Sequence, residues 1–449
     1  MEESNLRYNS SRSKILHLTM LKCTSSSGLI RNVLAVASGT AAAQAIVFAF
    51  SPLITRIYSP DVFGLQGVFL SLISIFSPII ALRYPMAIIT ADTETEAFHL
   101  SRLSLLIALG MASMFWLIIL VGGQTVLKLL GAEGLGALIL LLPLALLCVA
   151  LQDVNDYHTA RLGAFRLVGI VEVVQAFMLN LSRVLGGLLA PVAATLVVVT
   201  TIGPTLKSTL LRIGTRARRC PAPSCVMSRP ETIALLKKHR DFPIYRMPTD
   251  VMNALSQSVP VLLLAALFSP ATAGLYALTR SVLNLPSNVL GAAVGNVLYV
   301  RFAELSRQDQ PLTPLLLRST GALLALAPPI VGLAWFAPQV FSFVFGEEWR
   351  EAGHYARWMA LWIAAMLANI PAVRISPVIG SQRFLLLFNL LLLAARIASI
   401  ALPWLHSAEP LSAIASFSVV SAIMIAVSMV LILNFTYAFD HSRERPPSA

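Results

Sequence analysis

The chain has 449 residues, of which 57% are hydrophobic and only 12% are charged, and its formal net charge is +12. This charged share is about half that of a typical soluble domain, which excludes a soluble globular protein of this length. The positive charge does not indicate a nucleic-acid partner, because most of it lies in the short segments between long apolar stretches.

Along the chain, uncharged apolar stretches of roughly 20 residues follow one another, and each is long enough to cross a bilayer as a helix. We predict about twelve such spans, at 32–55, 63–82, 100–122, 133–153, 165–189, 190–211, 243–268, 273–297, 315–337, 355–376, 383–403 and 410–434. The sequence therefore predicts an all-α, polytopic integral membrane protein.

A basic segment divides these spans into two sets of six. We predict an N-terminal six-helix bundle at 32–211, a basic cytoplasmic linker at 212–242 and a C-terminal six-helix bundle at 243–434. Cytoplasmic tails are expected at 1–31 and 435–449, and the first is predicted to be disordered because it is polar and rich in serine. An even number of spans in each set gives the two bundles the same orientation.

The distribution of basic residues predicts the topology. Of the 33 lysine and arginine residues, 25 lie on the side that holds the termini and the linker, 4 on the opposite side and 4 within spans. The positive-inside rule therefore places both termini in the cytoplasm. Membrane lipids are the expected surroundings, and no nucleic acid is expected as a partner.

One sequence element occurs in both halves. Tyr58–Pro60 is followed by Gly64, and Phe268–Pro270 is followed by Gly274, each at the hairpin between the first two spans of its half. Serine can cap a helix N-terminus, and proline fits the first helical position. The glycine one turn later permits close packing of helices, so the pattern favours a duplicated fold.

Basic residues inside the spans point to an anionic ligand. Arg183, Arg280 and Arg396 each lie about seven residues, or roughly 10 Å, from an outer helix end. Acidic residues are nearly absent at that depth, and guanidinium groups bind phosphate in a bidentate manner. We predict that these arginines line a cationic cavity; the alternative is that they extend to the interface. Lys207, near an inner helix end, is interpreted as extending to the interface.

Two carboxylates and three amides complete the candidate site. Asp250 and Glu172 lie toward the inner ends of their spans and are candidates for ion coupling. Gln44, Asn253 and Gln257 are candidates either for cavity lining or for hydrogen bonds between helices.

Motifs for catalysis and cofactor binding are missing from the sequence. No lysine follows a glycine, so there is no phosphate-binding loop, and neither HExxH nor GxSxG occurs. Cys220 and Cys225 lack the second pair of ligands that a zinc site requires. We therefore expect no enzymatic activity, no cofactor and no metal.

Four segments carry a family resemblance: Ser38–Gly64, Leu82–Ile88, Arg240–Gly291 and Phe345–Gly353 (FGEEWREAG). Together they resemble bacterial polysaccharide and O-antigen flippases, of the multidrug, oligosaccharidyl-lipid and polysaccharide exporter superfamily. The resemblance implies two six-helix bundles around a central cavity in the bacterial cytoplasmic membrane. It also implies alternating access and an undecaprenyl-diphosphate-linked oligosaccharide as substrate, for surface polysaccharide synthesis.

Within the resemblance, Arg83, Arg280 and Arg56 are the basic residues expected to contact the substrate. Asp250 departs from it, because a small or apolar residue is expected there, and Asp250 is predicted to pair with Arg246 or to serve in proton coupling. A polysaccharide polymerase and chain-length machinery are the protein partners expected. Two alternatives stay open: a multidrug or cation exporter of the same fold, and a membrane glycan polymerase or ligase.

Overall fold

The computed structural model describes residues 26–218 and 229–444. Within these residues the chain forms α-helices joined by short loops and turns, and no β-strand. The helices are α1 (Ser26–Ile57), α2 (Pro60–Ile80), α3 (Ala87–Thr90), α4 (Glu94–Leu129), α5 (Leu142–Arg161), α6 (Phe165–Leu189), α7 (Ala193–Thr215), α8 (Arg229–Lys238), α9 (Met247–Leu267), α10 (Pro270–Arg307), α11 (Thr313–Leu324), α12 (Ala327–Ala334), α13 (Ala337–Phe345), α14 (Arg350–Ala368), α15 (Ile370–Ile375), α16 (Gln382–Leu405) and α17 (Pro410–Glu444).

Eleven helical segments of the described chain are long and apolar enough to cross a membrane. The remaining predicted span, 273–297, falls on α10, which has 38 residues and lies between two of these segments. The prediction of an all-α, polytopic membrane protein is thus confirmed. Residues 1–25 of the predicted tail, part of the linker at 219–228 and residues 445–449 lie outside the described residues.

The helices extend beyond the apolar stretches from which the spans were predicted. Helix α1 begins at Ser26, inside the predicted tail, and α17 ends at Glu444, ten residues after the predicted span. Part of the predicted linker is also helical, as α8. Apolar side chains mark only the part of a helix that crosses the hydrocarbon core of the bilayer. Backbone hydrogen bonds can continue the same helix beyond that core into polar surroundings.

The duplicated hairpins place α2 and α10 in corresponding positions. Each helix begins with proline after an extended serine. The Ser269 hydroxyl accepts a hydrogen bond from the Thr272 amide at 3.1 Å, as a capping residue does. Ser59 occupies the same position but makes no side-chain cap. The predicted cap is therefore present in one copy and absent in the other.

We call the end of the molecule that holds these hairpins the hairpin end, and the opposite end the linker end. At the hairpin end, Gly64 packs directly on the Pro270 carbonyl, and Gly274 packs reciprocally on the Pro60 carbonyl. A Cβ atom at either glycine would collide with that backbone oxygen. The duplicated glycines thus bring α2 and α10 together as a symmetric pair.

An aromatic contact reinforces the same end. The buried Trp349 indole donates a hydrogen bond to the Thr55 carbonyl at 2.9 Å. Its ring meets Phe63 edge to face, with 5.0 Å between centroids. One apolar core here includes residues of both halves, among them Phe69 and Leu264. The hairpin end is therefore closed by packing between the two halves.

Candidate functional site

A cavity lies between the halves on the linker side of this closed contact. It has two lobes: the interface lobe of about 490 Å³ and the C-half lobe of about 540 Å³. Both lobes share five polar lining residues, which are Asp250, Asn253, Gln257, Arg280 and Asn284. The two volumes lie in the range of about 300–1,000 Å³ that is usual for binding sites of small molecules.

Helix α2 gives the interface lobe a hydroxyl face. Ser71, Ser74 and Ser77 recur at every third position, so they lie along one side of the helix, and all three line the lobe. Arg83 stands at the linker end of the same wall. This serine spacing is visible in the sequence and could have been used to identify the lining.

Arg280 faces the junction of the two lobes from α10. Its guanidinium donates to the Gln257 carbonyl at 2.6 Å and to the Gln257 side-chain oxygen at 2.7 Å. No carboxylate among the described residues forms an ion pair with it. A guanidinium has five N–H donors, so Arg280 keeps donors for a ligand.

Arg83 joins the two halves at the linker end. Its Nε lies 2.8 Å from Asp250 on α9, and one of its terminal nitrogens lies 3.5 Å from Asp153 on α5. Asp250 also lies 3.3 Å from Arg246, as predicted from the sequence. The contact from Arg83 Nε to Asp250 is an ion pair rather than a directed hydrogen bond. We call the pair of Arg83 and Asp250 the linker-end latch.

The backbone at the latch has an unusual conformation. Leu82 and Arg83 have φ values of 49° and 57°, in the left-handed region. Each such residue costs about 1–2 kcal/mol relative to the right-handed conformation. This turn ends α2 sharply and directs the Arg83 side chain toward α5 and α9.

The other three predicted arginines have different surroundings. Arg396 lines the C-half lobe, where it is buried, donates to Ser256 and Ser421, and lies 5.5 Å from the centre of the Trp362 ring. Arg56 and Arg183 are not among the residues that line either lobe.

At the hairpin end, Arg56 donates to the Phe343 carbonyl at 3.3 Å and so contacts the other half. Arg183 lies on α6, where its terminal nitrogen is 3.5 Å from Asn180, and its Nε is buried without a partner among the described residues. The lining of the two lobes therefore does not include Arg56 or Arg183.

The interpretation of Lys207 is wrong. Its ammonium does not extend to the interface but lies 3.3 Å from Asp156 and 3.9 Å from Glu172, inside the N-terminal half. Glu172 also accepts a hydrogen bond from Thr40 at 2.6 Å. The carboxylates come from α5 and α6, which no local pattern in the sequence places beside α7.

Of the predicted amides, Asn253 and Gln257 line both lobes, whereas Gln44 lines neither. Sequence reasoning missed other lining residues of the C-half lobe, among them Tyr276, Asn284, Trp362 and Asn389. They come from three helices, α10, α14 and α16. They carry no shared motif, so only the packing of these helices brings them together.

The fold has known counterparts among solved transporters. An inward-facing multidrug resistance MATE family transporter of the MOP superfamily matches with a TM-score of 0.65 at 13% identity, over 91% of this chain and 95% of that chain. The lipid II flippase MurJ, in an inward closed conformation, matches with a TM-score of 0.65 at 10% identity, over 92% of this chain and 91% of that chain. The chain therefore shares the fold of these two proteins.

The sequence assigns the family. A family model described as "Polysaccharide biosynthesis protein" matches residues 53–354, more than half of the chain, so the chain belongs to this family. The succinoglycan biosynthesis transport protein ExoT of Rhizobium meliloti (strain 1021) is 25% identical over 329 residues. These residues are 72% of this chain but only 63% of ExoT, so the match spans less than two thirds of that relative. The family resemblance seen in the sequence is thereby confirmed.

Proposed function

We propose that the chain is a flippase that moves an undecaprenyl-diphosphate-linked oligosaccharide across the bacterial cytoplasmic membrane by alternating access, for surface polysaccharide synthesis. One observation carries the proposal: among the described residues, the charged ones that line the two lobes are four arginines and one aspartate, which are Arg83, Arg246, Arg280, Arg396 and Asp250. A cavity with this excess of positive charge suits an anionic headgroup and disfavours a cationic drug.

Arg280 is the residue best placed to bind the diphosphate. It faces both lobes, it has donors to spare, and it has no carboxylate partner among the described residues. Arg246 lies beside the same lining with its side chain 53% exposed. A diphosphate between these groups gains charge-assisted, bidentate hydrogen bonds in a partly desolvated site.

The latch connects binding to opening. Asp250 and a substrate diphosphate are both anions that can pair with Arg83, so the arrival of the substrate competes with Asp250. Each partner of the latch already has a second counter-charge nearby, so the ion pair can exchange partners without isolating a charge. When the halves separate, Arg83 keeps Asp153, and Asp250 keeps Arg246. No buried charge is then left without a partner.

The negative charge of the proposed substrate makes the membrane potential a sufficient driving force for transport. An inside-negative membrane potential favours outward movement of an anion by about 2.3 kcal/mol per charge per 100 mV. On this account the carboxylates Asp250 and Glu172 do not need to carry a coupling proton.

Asp250→Asn and Glu172→Gln should then sustain flipping in vesicles, whereas collapse of the potential should slow it. Transport driven by a pH gradient alone, and stopped by either variant, would show proton antiport instead.

The proposed topology places both termini and the linker in the cytoplasm. A reporter that is active only in the periplasm, fused at Ala222 within the linker, should be silent. The same reporter at Gly346, at the hairpin end, should be active. A strong signal at Ala222 would reverse the orientation and exclude cytoplasmic loading of the cavity from the linker end.

The test of substrate binding compares arginine variants in cells. Arg280→Ala should abolish polysaccharide export while the protein stays in the membrane, because the diphosphate loses its main ligand. Arg280→Lys should retain part of the export, since the charge is kept and the bidentate geometry is lost. Arg318→Ala, at an exposed arginine of α11, is the control. Export at the wild-type level from Arg280→Ala would contradict the proposal.

A further inference from the structure

The C-half lobe contains an unusual group of polar atoms. The Tyr276 hydroxyl, the Trp362 indole nitrogen and the Asn284 side-chain oxygen are buried and have no hydrogen-bond partner among the described residues. All three residues line this lobe. Tyr276 is 0% exposed and Trp362 is 4% exposed. An unpaired buried donor or acceptor destabilises the fold, so three in one wall require an explanation.

These atoms are neutral and of mixed type. The hydroxyl and the indole offer N–H or O–H donors, and the amide oxygen accepts. Two further carboxamides, Asn253 and Asn389, are exposed in the same lobe. Each can donate and accept at once. Such a wall matches a ligand with many adjacent hydroxyl groups, because every hydroxyl also donates and accepts.

Neighbouring residues of the same lobe hold this wall rigid. Trp362 meets Phe417 edge to face at 5.2 Å, and Arg396 lies 5.5 Å and 5.6 Å from the centres of these two rings. Arg396 is fixed by hydrogen bonds to Ser256 at 3.0 Å and Ser421 at 3.2 Å. Arg396 therefore orients the aromatic wall, and its polar contacts are already made within the protein.

We propose that the C-half lobe is a glycan subsite, in which Tyr276, Trp362 and Asn284 bind hydroxyl groups of the sugar next to the diphosphate. The inference rests on the proposed function and deepens it. Arg280 stands at the border of both lobes, so a diphosphate held there places the attached sugar at the mouth of the C-half lobe. The lobe then selects for the presence of sugar, and the arginines select for the diphosphate.

The test uses purified full-length protein and two probes. One is undecaprenyl diphosphate without sugar. The other is the lipid-linked glycan purified from cells that lack the gene for this protein. Wild-type protein should bind the glycan-bearing probe more tightly than the bare one. Tyr276→Phe should lower the affinity for the glycan-bearing probe by about twofold to tenfold, which corresponds to one neutral hydrogen bond. Its affinity for undecaprenyl diphosphate should not change.

Stability distinguishes binding from packing. Because the Tyr276 hydroxyl has no partner in the fold, Tyr276→Phe should melt at the wild-type temperature or above it. Trp362→Phe should show the same selective loss of glycan affinity. Trp358→Phe, on the exposed side of α14, and Tyr437→Phe, exposed on α17, are the matched controls and should bind both probes normally.

Three results would overturn the subsite. In the first, the wild type binds both probes with equal affinity. In the second, Tyr276→Phe and Trp362→Phe keep the wild-type preference for the glycan-bearing probe. In the third, Tyr276→Phe has a lower melting temperature and loses affinity for both probes equally. Each of the first two leaves the proposed function intact as long as undecaprenyl diphosphate binds. Failure of undecaprenyl diphosphate itself to bind would contradict the proposed function, and the subsite with it.

Discussion

The two ends of the molecule join the same two halves by different means. At the hairpin end, Gly64 and Gly274 bring backbone against backbone, and Trp349 donates to a carbonyl of the other half. At the linker end, the cavity separates the halves, and the latch of Arg83 and Asp250 connects them through side chains. The first contact is apolar and buried, whereas the second is ionic and partly exposed.

This difference indicates which end responds to an anionic ligand. Packed backbone contacts have no partner that a diphosphate could replace, so opening the hairpin end requires helices to move as rigid bodies. An ion pair can exchange one carboxylate for another anion, and both partners of the latch have a second counter-charge nearby. Under the proposed function, substrate would therefore enter at the linker end in this state, while the hairpin end stays closed.

The largest effect is expected from filling the glycine contact. Gly274→Ala places a methyl group against the Pro60 carbonyl, which should lower the free energy of unfolding by about 1–3 kcal/mol or more. Gly122→Ala is the control, because no atom lies within 4 Å of its added Cβ. That substitution should be neutral or stabilise the protein by about 0.5–1 kcal/mol, since alanine favours a helix interior over glycine. Equal thermal stability of the two variants would show that the contact does not hold the halves.

A smaller loss is expected at the aromatic contact. Trp349→Phe removes the donor to the Thr55 carbonyl and leaves that acceptor buried, at a cost of about 1–3 kcal/mol. Trp335→Phe is the control, because Trp335 is 68% exposed at the same end. Denaturant unfolding in detergent should separate the two variants. Indistinguishable midpoints would remove Trp349 from the closure of the hairpin end.

Breaking the latch should change geometry more than stability. Asp250→Asn removes the charge opposite Arg83, but Arg83 keeps Asp153 as a partner, so the loss of stability should be smaller than at the aromatic contact. Spin labels at Arg102 and Arg318, at the linker end, should report a longer or broader distance in this variant. Labels at Val121 and Phe343, at the hairpin end, should report no change. A shift at the hairpin end instead would reverse the roles assigned to the two ends.

The smallest effect is expected from the contact between the linker and the N-terminal half. The Lys238 ammonium lies 2.7 Å from both Asp92 and Glu96. Its hydrogen bond to Asp92 is the largest cause that raises the pKa of Lys238, and its hydrogen bond to Glu96 is the next. Because the folded-state pKa is raised, the contribution of Lys238 to the free energy of unfolding is complete below the unfolded pKa of about 10.4. That contribution is lost as the pH rises through the folded-state pKa. Lys238→Ala should therefore change the melting temperature little at pH 7, and the difference from wild type should shrink further in high salt.

The sequence predicted the elements that depend on local or periodic signals. The spans follow from apolar length, and the close packing at Gly64 and Gly274 follows from a pattern that occurs in both halves. Asp250 was correctly paired with Arg246, which lies one helical turn away. The spans, the pairing of Asp250 with Arg246 and each glycine motif are visible because they depend on residues that are near one another in the chain. The packing of one motif on the other joins distant residues and depends on the fold.

Contacts between distant helices were not predictable from the chain. Lys207 meets Asp156 and Glu172 only because α5, α6 and α7 pack together. The partner of Arg83 in the other half is Asp250, which is 167 positions away in sequence. The depth of a residue in the membrane can be read from its span, but the direction in which it points depends on tertiary packing.

Transport by purified protein in vesicles tests whether this chain moves a lipid-linked glycan across a bilayer. Lipid-linked glycan is placed in the leaflet that faces the linker end, and its appearance in the other leaflet is followed with a glycan-modifying enzyme outside. The account predicts transfer by the wild type and by Arg318→Ala, partial transfer by Arg280→Lys, and transfer at the rate of protein-free vesicles by Arg280→Ala. Absence of transfer by correctly oriented wild-type protein, or full transfer by Arg280→Ala, would contradict the account.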